Sequence, residues 1–266
     1  MSPWLEACRA AAVDVRGVLA ALPTRVEREP VLRAGVGGDD TTAIDAAAEE
    51  VVIARLAQVS EGFTLVSEEL GEASYGSGGP WHVVVDPIDG SLNAKRGIPF
   101  FSLSIAVADG RTMGDVLFGY VYDFGTGEEW TATRGEGAFL DGQKLGAVRP
   151  KDEIEILSFE ATTTAEVSER AAAVVGAAHR LRIMGSLALS LCHLAAGRVD
   201  GVCSLKPARS VDIAAGQLLV RECGLAIDLF EDAPFLAAPL DLLGRSRVVA
   251  AGTDELCAKL ANALSA

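Results

Sequence analysis

A run of apolar, β-branched residues, Val83-Val-Val85, leads straight into Asp86-Pro-Ile-Asp89-Gly-Ser91. No other segment constrains the chain as strongly. Valines in series predict a buried strand. Pro87 then removes a backbone donor and makes the chain turn. Two carboxylates three positions apart are left at the end of that strand. At ~4 Å, two such charges repel by roughly 4 kcal/mol at an effective dielectric of ~20. They stay ionised together only with a cation between them, and all-oxygen donors suit magnesium or manganese. Gly90 permits close backbone approach. The amides of Gly90 and Ser91 open a short helix, Leu92-Asn-Ala-Lys95, where an anion can rest. Carboxylates for a metal beside amides for an anion describe a phosphate site. The plainer reading is that Asp86-Pro and Asp89-Gly only make a turn.

Other segments carry matching signals. Val66-Ser-Glu68-Glu69 is a second strand end bearing carboxylates. Asp39, Thr42 and Asp45 are spaced three apart, and Thr42 with Asp45 also reads as a helix capping pair. Arg209-Ser-Val-Asp212-Ile-Ala-Ala-Gly216 sets a carboxylate at a helix start, where it equally serves as a first-turn acid. Acidic residues outnumber basic ones 37 to 23, for a net charge of −14. Such a surface has no general affinity for nucleic acid or anionic membrane. An anionic substrate is tolerated only beside bound cations. The five cysteines include no CxxC pair, which predicts buried thiols in a reducing compartment. Glu6 and Arg9 fall where a secretion signal needs an apolar stretch, and the longest uncharged run, Ile183 to Gly197, is too short to span a bilayer. A soluble cytoplasmic protein is expected, without nucleic-acid or membrane partners.

Along the chain, Trp4, Ala7, Ala11, Val15, Val18 and Leu22 recur at helical spacing, and a second helix is predicted from about Thr42 to Ala57. Between them lies a glycine-bearing loop, 35–41, whose glycines read either as a connector or as a hinge. The strands Phe63–Val66, His82–Val85, Phe101–Val107, Val116–Tyr122, Glu129–Thr133 and Ala138–Leu140 then follow without helices, joined by Asp-Gly and Gly-Thr-Gly turns. A largely antiparallel sheet is expected there. Beyond Ala147 to Asp152 strands alternate with helices. The strands are Ile154–Phe159, Arg180–Met184, Val199–Leu205, Ala226–Leu229 and Arg247–Ala251. The helices lie near Ala165–Ala178, Ser186–Ala196, Asp212–Cys223 and Asp254–Leu264. Two domains are expected: an N-terminal α+β part, 1–150, and a C-terminal α/β part, 151–266, with a site at their junction.

In that order these segments resemble the inositol monophosphatase family of magnesium-dependent sugar-phosphate phosphatases. Asp86-Pro-Ile-Asp89-Gly-Ser91-Leu-Asn93 meets the family pattern DPxDG[ST]xN. Gly97-Ile-Pro99, Glu68-Glu69, the series Asp39, Thr42 and Asp45, and Val211-Asp-Ile-Ala-Ala-Gly216 with Glu222-Cys-Gly-Leu225 are similar to its other motifs. The resemblance runs nearly the length of the chain. It implies a five-layer αβαβα sandwich and two or three magnesium ions. It also implies that Glu68, Asp86 and the Ile88 carbonyl hold the first ion, and that Asp86, Asp89 and Asp212 hold the second. A weaker third ion would lie near Glu68. Ser91, in place of the family's usual threonine, would orient the attacking water with Asp45. Gly90 and Ser91 would bind phosphate, and a homodimer is a family expectation.

The residues near Asp212 depart from the family's inositol enzymes. No glutamate occurs between Asp200 and Asp212, and Val211 replaces the usual tryptophan. Lys206 and Arg209 stand there instead, and Arg182 precedes Gly185-Ser186. This variation resembles microbial members that accept both inositol monophosphate and fructose 1,6-bisphosphate. Arg182, Ser186, Lys206 and Arg209 are therefore candidates for the substrate, with solvated surface charge as the plainer reading of the three cations. His82, His179 and His193 show no metal-binding spacing. The expected function is hydrolysis of a small sugar or polyol phosphate. The alternatives are a 3′-phosphoadenosine 5′-phosphate or histidinol-phosphate phosphatase, or a non-catalytic metal and phosphate sensor. An aspartyl-phosphate enzyme is disfavoured because its DxDG[ST] motif is one residue shorter than the motif here.

Overall fold

The structure, a computed structural model, describes residues 3–36, 40–59, 62–147, 151, 153–160, 163–230 and 234–265. Helix α1 (Pro3–Ala21) buries Trp4, Cys8, Ala11, Ala12 and Val15 on one face. A short helix α2 (Arg25–Arg28) and a two-stranded ribbon of β1 (Val31–Ala34) and β2 (Asp40–Thr42) lead into α3 (Ala43–Leu56). The ribbon was not expected: the exposed Val31-Leu-Arg-Ala34 has no period-two burial to announce it. Part of the predicted loop, including Asp39 and two of its glycines, lies outside the described residues.

Next come β3 (Phe63–Ser67), β4 (Gly71–Tyr75), β5 (Trp81–Asp89), α4 (Ser91–Arg96), β6 (Ser102–Ala108), β7 (Val116–Asp123), β8 (Glu129–Thr133), β9 (Gly137–Leu140) and β10 (Gln143–Lys144). They form one sheet in the order β10-β9-β8-β7-β6-β5-β3-β4. Every neighbouring pair is antiparallel except β3 with β5. The largely antiparallel sheet is as expected. Strand β4 escaped the sequence because Gly71-Glu-Ala-Ser-Tyr75 is an edge strand of mixed polarity.

The second half holds β11 (Ile154–Glu160), α5 (Thr164–Arg170), β12 (Ala178–Arg182), α6 (Leu187–Ala195), β13 (Gly201–Ser204), α7 (Ser210–Glu222), β14 (Ala226–Leu229), β15 (Val248–Ala251) and α8 (Asp254–Ser265). Their sheet runs β12-β11-β13-β15-β14, parallel across its first three strands and antiparallel beyond. The helix expected over 165–178 is shorter. It ends at Arg170, passes through a 3₁₀ turn, and meets Gly176 at φ 80°. The β-branched pair Val174-Val175 and that left-handed glycine end the helical path.

Three apolar cores stack these layers. Helices α1 and α3 close over one face of the large sheet, where Trp4 meets Phe63 edge-to-face at 5.8 Å. The opposite face packs on α6 and α7, which also cover the second sheet. Helix α8 seals the far side with Leu256, Cys257, Leu260 and Leu264. The result is the expected five-layer αβαβα sandwich. Helix α7 lies close to its neighbours because Gly216 leaves no room for more: a Cβ there would come 2.9 Å from the Leu191 Cβ.

Candidate active site

Strand β5 is buried from Val83 onward. Its pairing with β6 slips between Asp86 and Asp89: Asp86 faces Ser104, yet Asp89 faces Ser102. One extra residue on β5 makes a bulge, and Pro87, with no N–H to give, occupies it. The bulge turns both carboxylates toward the sheet end. Strand β3 lies parallel to β5 with Ser67 opposite Val85. The next residue on each strand, Glu68 and Asp86, therefore reaches the same end. In the second sheet β11 and β13 are likewise parallel, and Glu160 is opposite Ser204. Helix α7 starts beside them, and Asp212 in its first turn accepts from the Arg209 amide at 2.6 Å.

These ends share one cavity of about 220 Å³. Its walls include Glu68, Asp86, Ile88, Asp89, Gly90, Ser91, Glu160, Gly185, Ser204, Lys206, Arg209 and Asp212. Placement at the carboxyl ends of parallel strands is the usual location for a ligand in such sheets.

The carboxylates are buried and repel one another. Burial pushes Glu68 up to about 7, with Arg209 opposing and Asp212 and Glu69 adding to the rise. Burial also raises Asp89 to about 7, against the Ser186 hydrogen bond, and Asp212 adds to it. Asp86 is held well above the usual carboxylate range by burial and by Glu68, Asp89 and Asp212. One Asp86 oxygen accepts from the Ile88 amide at 3.0 Å. Charges disfavoured in this way invite a cation. The oxygen donors, their number and their mutual repulsion fit a hard divalent ion. As they stand, however, no three acidic, histidine or cysteine side chains among the described residues converge closely enough to hold one metal. The Arg209 guanidinium occupies this wall instead: its Nη2 is 2.5 Å from Glu68 and 3.5 Å from Asp212, and its side chain is 7% exposed.

Gly90 adopts φ 90°, and a Cβ there would meet the Gly185 carbonyl at 3.0 Å and the Phe100 carbonyl at 3.2 Å. Only glycine fits this turn. The Asn93 side chain ties it down by donating to the carbonyls of Phe100 (2.8 Å) and Met184 (2.7 Å). Across the cavity Asp89 accepts from the Ser186 hydroxyl and, at 2.8 Å, from the Ala188 amide. The start of α6 is thereby docked onto β5.

The sequence-derived candidates separate into groups. Glu68, Asp86, Ile88, Asp89, Gly90, Ser91, Lys206, Arg209 and Asp212 come together on the cavity. Ser186 is buried behind it and spends its hydroxyl on Asp89. Arg182 is exposed on β12, off the cavity walls, and donates to the Leu181 carbonyl at 2.9 Å. Arg209 was expected to face a substrate phosphate, but carboxylates this close draw its charge inward. Asp45 was expected either to orient water with Ser91 or to cap a helix with Thr42. Its carboxylate accepts from Thr42, as the capping reading has it, and pairs with Lys95 at 3.2 Å. It caps α3 and reaches α4 through that lysine.

Sequence reasoning passed over Glu160. This carboxylate lines the cavity and accepts from the Gly185 amide (2.8 Å), Ser158 (2.8 Å) and Ser190 (2.7 Å). The signal was the one that found Glu68 and Asp86: a carboxylate closing an apolar strand. The strand that the sequence predicts stops one residue short of it, at Phe159.

Fold and site together describe a phosphoester hydrolase whose acidic wall faces the glycine turn. The family model of the inositol monophosphatase family matches residues 5–266, and the chain belongs to that family. It is similar to the fructose-1,6-bisphosphatase/inositol-1-monophosphatase of Methanothermobacter thermautotrophicus, at 34% identity over 88% of this chain and 86% of that one. It is also similar to the Nus factor SuhB of Escherichia coli K12, at 33% identity over 85% of each chain. Among solved structures, an inositol monophosphatase–fructose 1,6-bisphosphatase superposes with a TM-score of 0.85 at 28% identity, over 99% of this chain and 100% of that one. As a member of that family the chain is a phosphatase. The family is generally metal-dependent. Among the described residues, no helix is long and apolar enough to cross a membrane.

Proposed function

We propose that this phosphatase uses magnesium to hydrolyse inositol 1-phosphate, fructose 1,6-bisphosphate or both. One observation carries the proposal: Glu68 after β3, Asp86 and Asp89 of β5 and Asp212 of α7 line one cavity, beside Gly90 and Ser91. Relatives known as fructose-1,6-bisphosphatase/inositol-1-monophosphatase support the substrate pair. In this reading Glu68, Asp86 and the Ile88 carbonyl would hold one ion, and Asp86, Asp89 and Asp212 a second, with a weaker third near Glu68. Such ions would lower the pKa of water and offset the charge that develops on phosphate and leaving group.

The chain's own residues do the rest. The amides of Gly90 and Ser91 receive phosphoryl oxygens, and the fixed φ of Gly90 aims them before substrate arrives. The Ser91 hydroxyl orients water. Asp45 is a positioning residue in this reading, because its pairing with Lys95 holds α4 and so Ser91. Lys206, with Ser204 and Glu160, lines the wall open to the polyol. Parts 1–150 and 151–266 act as two domains sharing one site: the first supplies Glu68, Asp86 and Asp89, the second Asp212 and Lys206. Five free cysteines, four of them buried, support a reducing cytoplasmic setting.

The test is phosphate release with magnesium, with and without chelator. The panel is inositol 1-phosphate, fructose 1,6-bisphosphate, histidinol phosphate and 3′-phosphoadenosine 5′-phosphate. Chelator-sensitive release from either of the first two is expected. Release from only one of the last two would replace the substrate assignment. No release from a metal-loaded protein would favour the sensor reading.

A further inference from the structure

The guanidinium of Arg209 is the unusual member of the acidic wall. It is 7% exposed and reaches carboxylates from two elements, Glu68 after β3 and Asp212 in α7. Its charge is secure: burial works against it, but Asp212, Glu68 and Asp86 outweigh that cost and hold its pKa above the usual arginine value. Its backbone is committed too, since the Arg209 amide caps α7 through Asp212. The side chain therefore springs from a fixed point at the rim of the cavity into the carboxylates.

This position has a consequence for a divalent ion. A carboxylate offers about four lone-pair sites. Arg209 takes one Glu68 oxygen and neighbours one Asp212 oxygen. Glu68 and Asp212 both lie against the guanidinium, and among the described residues no three acidic, histidine or cysteine side chains converge closely enough to hold one metal. An ion bound between Glu68 and Asp86 would also lie close to a fixed positive charge. A unit charge ~4 Å from another is worth roughly 4 kcal/mol at an effective dielectric of ~20, and twice that against a divalent ion.

We propose that Arg209 is a resident counter-cation of the active site, which divalent metal displaces from Glu68 when it binds. The inference rests on the reading of Glu68, Asp86, Asp89 and Asp212 as the metal ligands. Arg209 keeps the metal-free wall together at the expense of metal affinity.

The experiment is a calorimetric Mn²⁺ titration of the full chain, with thermal unfolding of metal-free and metal-saturated protein. Wild type, Arg209→Met, Arg209→Lys and Asp86→Asn are compared. Arg209→Met keeps most of the stem and removes the charge. It should bind Mn²⁺ about tenfold more tightly or better, a conservative fraction of the Coulomb figure. Its metal-free form should melt lower than wild type, and saturation with Mn²⁺ should close most of that gap. Arg209→Lys, which keeps the charge on a shorter reach, should fall between. If Arg209→Met is unfolded without metal, recovery of its fold by Mn²⁺ supports the proposal, and the lysine variant supplies the affinity comparison. Unchanged or weaker Mn²⁺ binding by the methionine variant would overturn it, and would make Arg209 a support of the metal-bound site. The ligand reading fails separately: then Asp86→Asn binds Mn²⁺ as well as wild type does, and the inference falls with it.

Discussion

Removing metal should make stability fall as pH rises from 5 to 8, opposite to the trend that paired surface carboxylates produce. The cause is the buried wall. Glu68 is raised from 4.5 to about 7 and Asp89 from 3.8 to about 7. Between the unfolded and folded values the native protein holds protons that the unfolded chain has released. Unfolding then releases protons, the slope of stability against pH is negative, and stability declines through this window. Over the two units from pH 5 to about 7, at about 1.4 kcal/mol per unit, Glu68 and Asp89 each account for at most about 3 kcal/mol, before their coupling reduces the sum. For a chain of this size each kcal/mol moves the melting temperature by roughly 2–4 °C. A fall on the order of 10 °C is expected between pH 5 and pH 8 in chelator. Carboxylates held low by arginines, such as Asp14 beside Arg55, act only below this range. Saturating magnesium should flatten the curve, because the ions bind the ionised form. The assay is differential scanning fluorimetry at constant ionic strength, with and without chelator. A metal-free melting temperature that is level or rises toward pH 8 would refute the electrostatic account of the site.

Two further outcomes are expected. Asp89→Asn should lose nearly all turnover and weaken metal binding, while circular dichroism shows a folded protein; near-normal turnover would remove Asp89 from the ligand set. Gly90→Ala meets two carbonyls at 3.0 and 3.2 Å in a left-handed conformation, so it should destabilise by about 1–3 kcal/mol and depress activity; urea unfolding and phosphate release measure both effects.

Much of the architecture was legible because each strand carries its own evidence. Val83-Val-Val85 reads as buried strand anywhere, and hairpin turns such as Asp141-Gly142 leave the chain few ways to connect the strands that follow. Elements without a local signature were missed. Strand β4 and the β1–β2 ribbon are half polar, and they exist because a neighbouring edge accepts their hydrogen bonds. The cavity shows the same division. Asp86 and Asp89 stand out from their neighbours in the chain, and the motif order pointed to Glu68 and Asp212. Glu160 carried the same strand-end signal, but its place in the site follows from the β11–β13 register. The Thr42–Asp45 capping pair was readable, but the partners of Arg209 and Ser186 and the Lys95 contact of Asp45 were not, because charge and hydroxyl groups choose their distant contacts only after the layers assemble.

The sequence by itself determined most of the strands and helices, the turn at Pro87, the close backbone approach at Gly90 and the chemistry of the acidic donors. These follow from covalent geometry, side-chain periodicity and the repulsion of like charges, which act over a few residues. The tertiary structure alone decided which oxygens meet. Parallel pairing put Glu68 beside Asp86, the docking of α6 put Ser186 and Ala188 on Asp89, and the start of α7 aimed Arg209 into the wall rather than toward solvent. Those contacts join residues up to 141 positions apart. Their energies depend on burial and on distances of a few ångströms, which exist only in the folded molecule.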